Sequence, residues 1–254
     1  MSSQEVFLER IRRALGRPYG GASGRNDTES DTPLQRARVH HGQDQRRALV
    51  DQLLQQLRAV GGSGTCVASM ADAVAAIQQV VRDKKAQRVV RWPAEIFSSL
   101  EVDTVLQASG VTVQVTALPT APPGGAPSAA AMAETAQSLR ADLAKADIGL
   151  SGVDYAIAET GTLALMAAPG QMRSVSLVPP VHVAVVRAEQ IVPTLADCLS
   201  LLQASAANLQ EHLTSCVSFI TGPSRTGDIE LTLTVGVHGP GELHLIVIDE
   251  PCAD

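Results

Sequence analysis

Between Gln43 and Ala146 the apolar residues switch repeatedly between helical and strand spacing, and that alternation narrows the fold more than any other feature. Leu49, Leu53, Leu57 and Val60 form one stripe of a helix over residues 43–60. Residues 65–69 suit a strand, and Ala73, Val74, Ile77, Val80 and Val81 mark a second helix. Residues 88–91 and 111–115 read as further short strands. The next stretch holds Pro119, Pro122, Pro123, Gly124, Gly125 and Pro127 and reads as a loop. Ser128 then stands where it can N-cap an Ala-rich helix, whose apolar side is Met132, Ala136, Leu139 and Leu143. Strands alternating with helices build βαβ units, so the expectation is an α/β fold with a mainly parallel sheet flanked by helices.

Beyond Ala146 the rhythm changes. Residues 153–158, 162–167, 174–178 and 181–186 are strand-like with little helix between them. The break at Ala168-Pro169-Gly170-Gln171 fits a type II turn, with Pro second and Gly third. Leu195, Cys198, Leu199 and Leu202 share one face of a helix over residues 194–204. Residues 217–220, 231–237 and 242–248 complete the strands, the last two facing each other across His238-Gly239-Pro240-Gly241 as a hairpin. The predicted sheet is therefore mixed, with its antiparallel parts in the second half.

At the other end, Phe7, Leu8, Ile11 and Leu15 line one face of a short amphipathic helix over residues 1–15. Residues 16–42 carry hardly any apolar side chain, so they cannot bury enough surface to offset their ordering entropy and read as a mobile linker. A helix tethered in this way docks either on its own domain or in a partner's groove. Residues 43–254 read as a single α/β domain. Arg10, Arg12 and Arg13 would suit a transit peptide, but Glu5 and Glu9 oppose that reading, and no apolar run suggests a membrane span. The expectation is a soluble cytoplasmic protein.

Composition excludes several partners. Aromatic residues are 2% of the chain, too few for the stacking platforms of single-stranded nucleic-acid binding. A formal net charge of −6 gives no basic footprint for phosphate backbones. Hydrophobic residues reach 45%, so the core must come from Val, Leu, Ile and Ala. The four cysteines, Cys66, Cys198, Cys216 and Cys252, are scattered without a C-x-x-C pair, which suits reduced, mostly buried thiols better than zinc or an iron–sulfur cluster. No metal or cofactor is expected.

Three polar turns in the second half carry the candidate chemistry. In the first, Glu159 ends an apolar strand and is followed by Thr160, Gly161 and Thr162. Gly161 lets a ligand approach the backbone, the hydroxyls donate or accept, and strand carboxyl ends are where α/β sheets usually hold ligands. Glu159 is then a general base, a nucleophile, or a carboxylate accepting turn N–H bonds. In the second, Pro179 and Pro180 fix a kink that raises the chance of a cis bond, and His182 alternates with Val181 and Val183, a pattern more usual for a hydrogen-bonded sheet residue. The third is Thr221-Gly222-Pro223-Ser224-Arg225-Thr226-Gly227-Asp228-Ile229-Glu230. Its glycines let N–H groups converge, and with Ser224, Arg225 and Thr226 it could hold a carboxylate or phosphate. It is no Walker A loop, because no Gly-Lys-Ser/Thr follows. Asp228 and Glu230, with His238, could instead ligate a hard cation, though without motif spacing.

At these residues the chain resembles the lactate-utilization protein C family, whose members carry the LUD domain. The resemblance rests on Ala156-Ile157-Ala158-Glu159-Thr160-Gly161-Thr162, Pro179-Pro180-Val181-His182, the Gly222 to Glu230 loop, Gly236-Val237-His238-Gly239-Pro240 and Glu242-Leu243-His244. It extends to Phe7-Leu8-Glu9-Arg10-Ile11 and Leu15-Gly16-Arg17 near the start. The resemblance implies a fold similar to the sugar-phosphate isomerase and CoA-transferase class. It also implies a role in oxidising L-lactate to pyruvate beside iron–sulfur partner proteins, this chain being the cluster-free subunit. It supplies no established catalytic residue. Arg225 is expected to pair with a small anionic ligand, with Glu159 facing the same cleft. Two alternatives stand beside that role: a transferase-like or isomerase-like enzyme with Glu159 as nucleophile, and a non-catalytic assembly module, with a homo-oligomer open in each case.

Overall fold

The computed structural model describes residues 41–116, 128–168, 170–208, 216–227 and 233–250. The N-terminal helix and almost all of the linker expected over residues 1–42, the proline-rich loop, Pro169, Asp228, Glu230 and Cys252 lie outside them.

Helix α1 (Gln43–Ala59) buries Leu49, Leu53 and Leu57 of the stripe read from sequence, together with Val50 and Leu54, while Val60 of that stripe is the half-buried C-cap. Strand β1 (Ser63–Val67) leads to α2 (Met70–Asp83), where Ser69 Oγ accepts the Asp72 N–H at 3.1 Å and so satisfies one of the orphan donors of the first turn. Strand β2 (Arg88–Arg91) is followed by two short helices that periodicity did not mark, α3 (Glu95–Ser99) and α4 (Val102–Ala108), and by β3 (Thr112–Val115). Ser128 caps α5 (Ala129–Ala144) by accepting the Ala131 N–H at 3.1 Å.

Next come β4 (Ile148–Gly152), β5 (Tyr155–Ile157), β6 (Thr162–Met166), β7 (Val181–Arg187) and β8 (Ile191–Val192). Helix α6 (Leu195–Asn208), β9 (Val217–Ile220), β10 (Arg225–Gly227), β11 (Leu233–Val235) and β12 (Glu242–Ile248) follow. The main sheet has the order β1-β12-β7-β4-β2-β3, with every pair parallel. The predicted α/β class with a mainly parallel sheet is the one observed. Its antiparallel pairs are segregated into a four-stranded sheet, β8-β5-β6-β9, and the small ribbon β10-β11.

Two local expectations are corrected. Residues 174–178 are no strand, because a 3₁₀ turn occupies Arg173–Ser176. That turn sits over Gly149, where an added Cβ would lie 1.8 Å from the Val175 carbonyl oxygen, so the turn closes on the sheet face instead of joining an edge. The hairpin across residues 238–241 is absent as well. Strand β12 runs between β1 and β7, parallel to both, while β11 pairs with β10. The near-continuous apolar run Leu243, Leu245, Ile246, Val247 and Ile248 suits a central strand covered on both faces, which a two-stranded hairpin cannot provide. At residues 168–171 the turn is closed by Gln171 N–H on the Ala168 carbonyl at 2.9 Å, with Gly170 at φ +76° as a type II turn requires.

Of the described cysteines only Cys198 is buried, whereas Cys66 is exposed and Cys216 intermediate. Burial, reinforced by Asp154, pushes the Cys198 thiol up to about 11, so it is protonated and unreactive at neutral pH. Among the described residues no helix is long and apolar enough to cross a membrane.

Candidate functional site

The proline pair delivers the chain into β7, so His182 is the second residue of a central strand, level with Gly149 on β4 and Leu243 on β12. No cis peptide bond occurs among the described residues, so the kink is made with trans bonds. The His182 ring is 1% exposed, and its Nε2 lies 2.7 Å from Ser151 Oγ. Its Nδ1 is buried and has no hydrogen-bond partner. Desolvation by burial lowers its pKa to about 3, so the imidazole is neutral.

Backbone bonds draw the other turns to the same place. Pro180 O accepts Gly241 N–H at 2.9 Å, Pro240 O accepts Ser224 N–H at 2.9 Å, and Ser224 O accepts Gly236 N–H at 2.9 Å. Gly222 has φ +79°, and a Cβ there would meet the Val60 carbonyl oxygen at 2.6 Å, so the turn can lie against the end of α1 only because residue 222 is glycine. Between these turns is a cavity of about 230 Å³. Thr221, Gly222, Pro223 and Ser224 form one wall, His238, Gly239 and Pro240 another. Ser176 and Leu177 of the 3₁₀ turn, Phe219 and Ile220 of β9, and the strand residues His182 and Leu243 complete it. No lysine, arginine or acidic side chain is in the lining. The cavity opens at the amino ends of β7 and β12, not at carboxyl ends, because the chemistry-bearing turns are the ones leading into those strands.

The first turn lies beside this cavity without lining it. Glu159 Oε1 accepts the N–H of Leu195, first residue of α6, at 2.8 Å, so its carboxylate serves a helix N-terminus. Gly161 has φ +66°, and its missing Cβ makes room for α1: the added atom would be 2.5 Å from Leu57 N. Thr160 Oγ1 and Thr162 Oγ1 are 2.7 Å apart, and Thr162 Oγ1 is 2.7 Å from Thr221 Oγ1, so a hydroxyl chain ends at the cavity wall. Arg225 is turned away: its Nη2 donates to Val60 O, at the C-cap of α1, at 2.6 Å. Thr226 and Gly227 belong to β10.

The residues that sequence reasoning passed over are Ser151, Ser176 and Phe219, together with the buried, unpartnered Nδ1 of His182. Gly149 two positions before Ser151, and a histidine two positions after a proline pair, are the signals that could have marked them. A second cavity, of about 260 Å³, lies at Arg88, Thr112, Gln114, Asp142 and Lys145, and none of the three turns reaches it.

Comparison with known proteins gives the family and the fold. A model of the LUD domain matches residues 50–248. "Lactate utilization protein C" of Halalkalibacterium halodurans is 30% identical over 247 residues, covering 97% of this chain and 98% of the relative. The protein of that name from Macrococcus caseolyticus is 41% identical over 106 residues, 42% of this chain and 46% of its own. Among solved structures, a DUF162 family protein from Deinococcus radiodurans aligns with a TM-score of 0.51 at 23% identity, over 80% of this chain and 98% of that one, a likeness of fold. The family match covers most of the chain and includes all three turns, so the chain belongs to the LUD domain family.

Proposed function

We propose that this chain serves lactate utilisation as a cluster-free subunit beside iron–sulfur partner proteins, and that it holds a small carboxylate ligand in the His182 cavity. The relatives named for lactate utilisation support the pathway. The observation that carries the ligand site is the stitching of three separate turns, by Pro180 to Gly241 and by Ser224 to Pro240, around one cavity that a buried histidine helps to line. With no Lys or Arg in the lining, the ligand's charge belongs at the open mouth, where His238 and the hydroxyls of Thr221 and Ser224 stand. Arg225, spent on Val60, supports this turn from behind and does not meet the ligand.

A thermal-shift series with L-lactate, pyruvate, sugar phosphates, CoA and nucleotides tests the reading. A ligand at a hundred times its dissociation constant adds about 2.7 kcal/mol to stability. For a domain of this size the midpoint then rises by roughly 5–10 °C. The small carboxylates are expected to stabilise the protein. Flat melts with all of them would remove the ligand site and leave the assembly role. The transferase-like alternative needs a Glu159 free to attack, whereas its Oε1 is engaged by α6. A borohydride-trapped acyl adduct on Glu159 after incubation with acyl-CoA would bring that alternative back.

A further inference from the structure

We infer that Ser63, His244 and Glu242 are the nucleophile, base and orienting carboxylate of a serine esterase site, separate from the His182 cavity and directed at carboxylic esters. Leu243 lines that cavity, and successive side chains of a strand point to opposite faces, so Glu242 and His244 stand together on the other face of β12. Parallel pairing sets Ser63, the first residue of β1, level with His244. Ser63 Oγ is 2.7 Å from His244 Nδ1, and His244 Nε2 is 3.0 Å from Glu242 Oε2. Lys84, the C-cap of α2, donates from Nζ to Glu242 Oε1 at 2.6 Å. Ser63 is exposed whereas the His244 side chain is 22% exposed, so an ester can reach the hydroxyl while the base is partly kept from water.

The order of the hydrogen bonds assigns the protons. The bond from Lys84, joined by that from His244, holds the Glu242 carboxyl below its ordinary range, so it is ionised and accepts only. In the neutral ring Nε2 therefore carries the proton, Nδ1 presents its lone pair, and the Ser63 hydroxyl donates to it. The Leu243 carbonyl, at 3.4 Å, is the weaker acceptor for that hydroxyl. A nucleophile within reach of a base that a third group orients is the arrangement covalent catalysis requires. Ser63 Oγ attacks the ester carbonyl carbon while its proton passes to Nδ1. The bond to the leaving alcohol breaks, and Nδ1 returns the proton to that oxygen. Water then attacks the acyl-serine by the same route, releasing the carboxylic acid and restoring the Ser63 hydroxyl. Glu242 is a positioning residue, facing a ring that becomes imidazolium in each step. Two guanidinium groups are fixed on the backbone to either side of Ser63, Arg225 Nη2 on Val60 O at 2.6 Å and Arg58 Nη2 on Gly64 O at 3.2 Å. Their positive charge favours an oxyanion developing beside that residue.

The probes are p-nitrophenyl acetate and an alkyl fluorophosphonate, applied to the full chain. The ester is expected to release p-nitrophenol in a burst followed by slower turnover, with the acetyl group found on Ser63 by peptide mass spectrometry after an acid quench. The fluorophosphonate is expected to modify the same residue and to stop turnover. Ser63→Ala is expected to abolish the burst, and His244→Gln to slow it about 100-fold or more. Glu242→Gln is expected to lower kcat with KM unchanged, because the carboxylate acts through His244 and touches no substrate. Acetyl groups on Lys84 or spread over other lysines, with Ser63 unmodified by both reagents, would overturn the inference, leaving these side chains as a surface hydrogen-bond network. An unchanged burst rate in a folded His244→Gln would overturn it too. The labelling needs no mutant, so it decides the matter even where a variant does not fold.

Discussion

A histidine held among strand residues at 1% exposure has to stay neutral, and that ties the stability of the fold to pH. His182 titrates at about 3 when folded and at its ordinary 6.5 when unfolded, so below pH 6.5 the unfolded chain binds a proton that the native state refuses. Stability is therefore complete above about pH 6.5 and is lost progressively as the pH falls toward 3. The limiting slope is about 1.4 kcal/mol per pH unit. Urea melts at pH 6.5 and pH 5 are expected to differ by about 2 kcal/mol more in the natural protein than in His182→Asn. Equal differences in the two proteins would mean that the ring is hydrated and titrates normally. Gly161, like Gly222, is confined to glycine. Its φ of +66° and the 2.5 Å approach of Leu57 N leave an added methyl facing backbone, which cannot swing aside. Gly161→Ala is expected to cost about 1–3 kcal/mol through strain, a fall of roughly 2–12 °C in Tm on a calorimeter.

At the scale of elements, two residues with obvious chemical potential turn out to hold helix ends. Glu159 accepts at the N-terminus of α6 and Arg225 donates at the C-terminus of α1, each charge matched to its end of the helix dipole. Glu159→Ala is expected to lose about 1 kcal/mol, and Arg225→Ala about 1–2 kcal/mol, in equilibrium denaturation, with pyruvate affinity unchanged in both. A loss of affinity in Arg225→Ala without a loss of stability would restore its ligand role. These two assignments also mark how far the sequence was legible. Strands with β-branched or apolar residues at their centre, residues 88–91 and 217–220, were read to the residue, as was the cap Ser128; Ser69, read as the end of a strand, is a helix cap instead. Strand β4 was missed, because Ile148-Gly149-Leu150-Ser151-Gly152 has the small residues of a turn. In the fold those residues are small for packing reasons: Gly149 admits the Val175 carbonyl and Ser151 admits the His182 ring. Partners distant in the sequence, Val175 for Gly149 and His182 for Ser151, dictate that pattern, and no local period contains it. The three turns were singled out as a set, but which of their side chains face one another depends on β12 entering the sheet centre.

For the whole molecule, the open question is whether the LUD fold acts alone or as a platform. Five of the exposed large apolar residues, Leu177, Val178, Phe219, Val235 and Val237, come from the same turns and strands that surround the His182 cavity, and Leu177 and Phe219 line it. Isolated exposed apolar side chains are ordinary, but several around one cavity mouth give ligand and partner a shared neighbourhood. The N-terminal stretch is separate from it in sequence: the family match begins at residue 50, and Phe7, Leu8, Ile11 and Leu15 precede it by more than thirty positions. Removing residues 1–40 is therefore expected to leave pyruvate binding unchanged, because every residue that lines the cavity follows residue 175. The same truncation is expected to abolish co-purification with iron–sulfur partners if those fifteen residues form the docking helix that their spacing predicts. Calorimetry with pyruvate and a pull-down from cells grown on L-lactate, run on the same truncated protein, separate the two roles. Retained binding with lost co-purification assigns recruitment to the N-terminal stretch and ligand recognition to the LUD fold. Retained co-purification would move the partner surface onto the fold itself, where the apolar rim of the cavity is the place to mutate next, beginning with Val235→Lys and Val237→Lys.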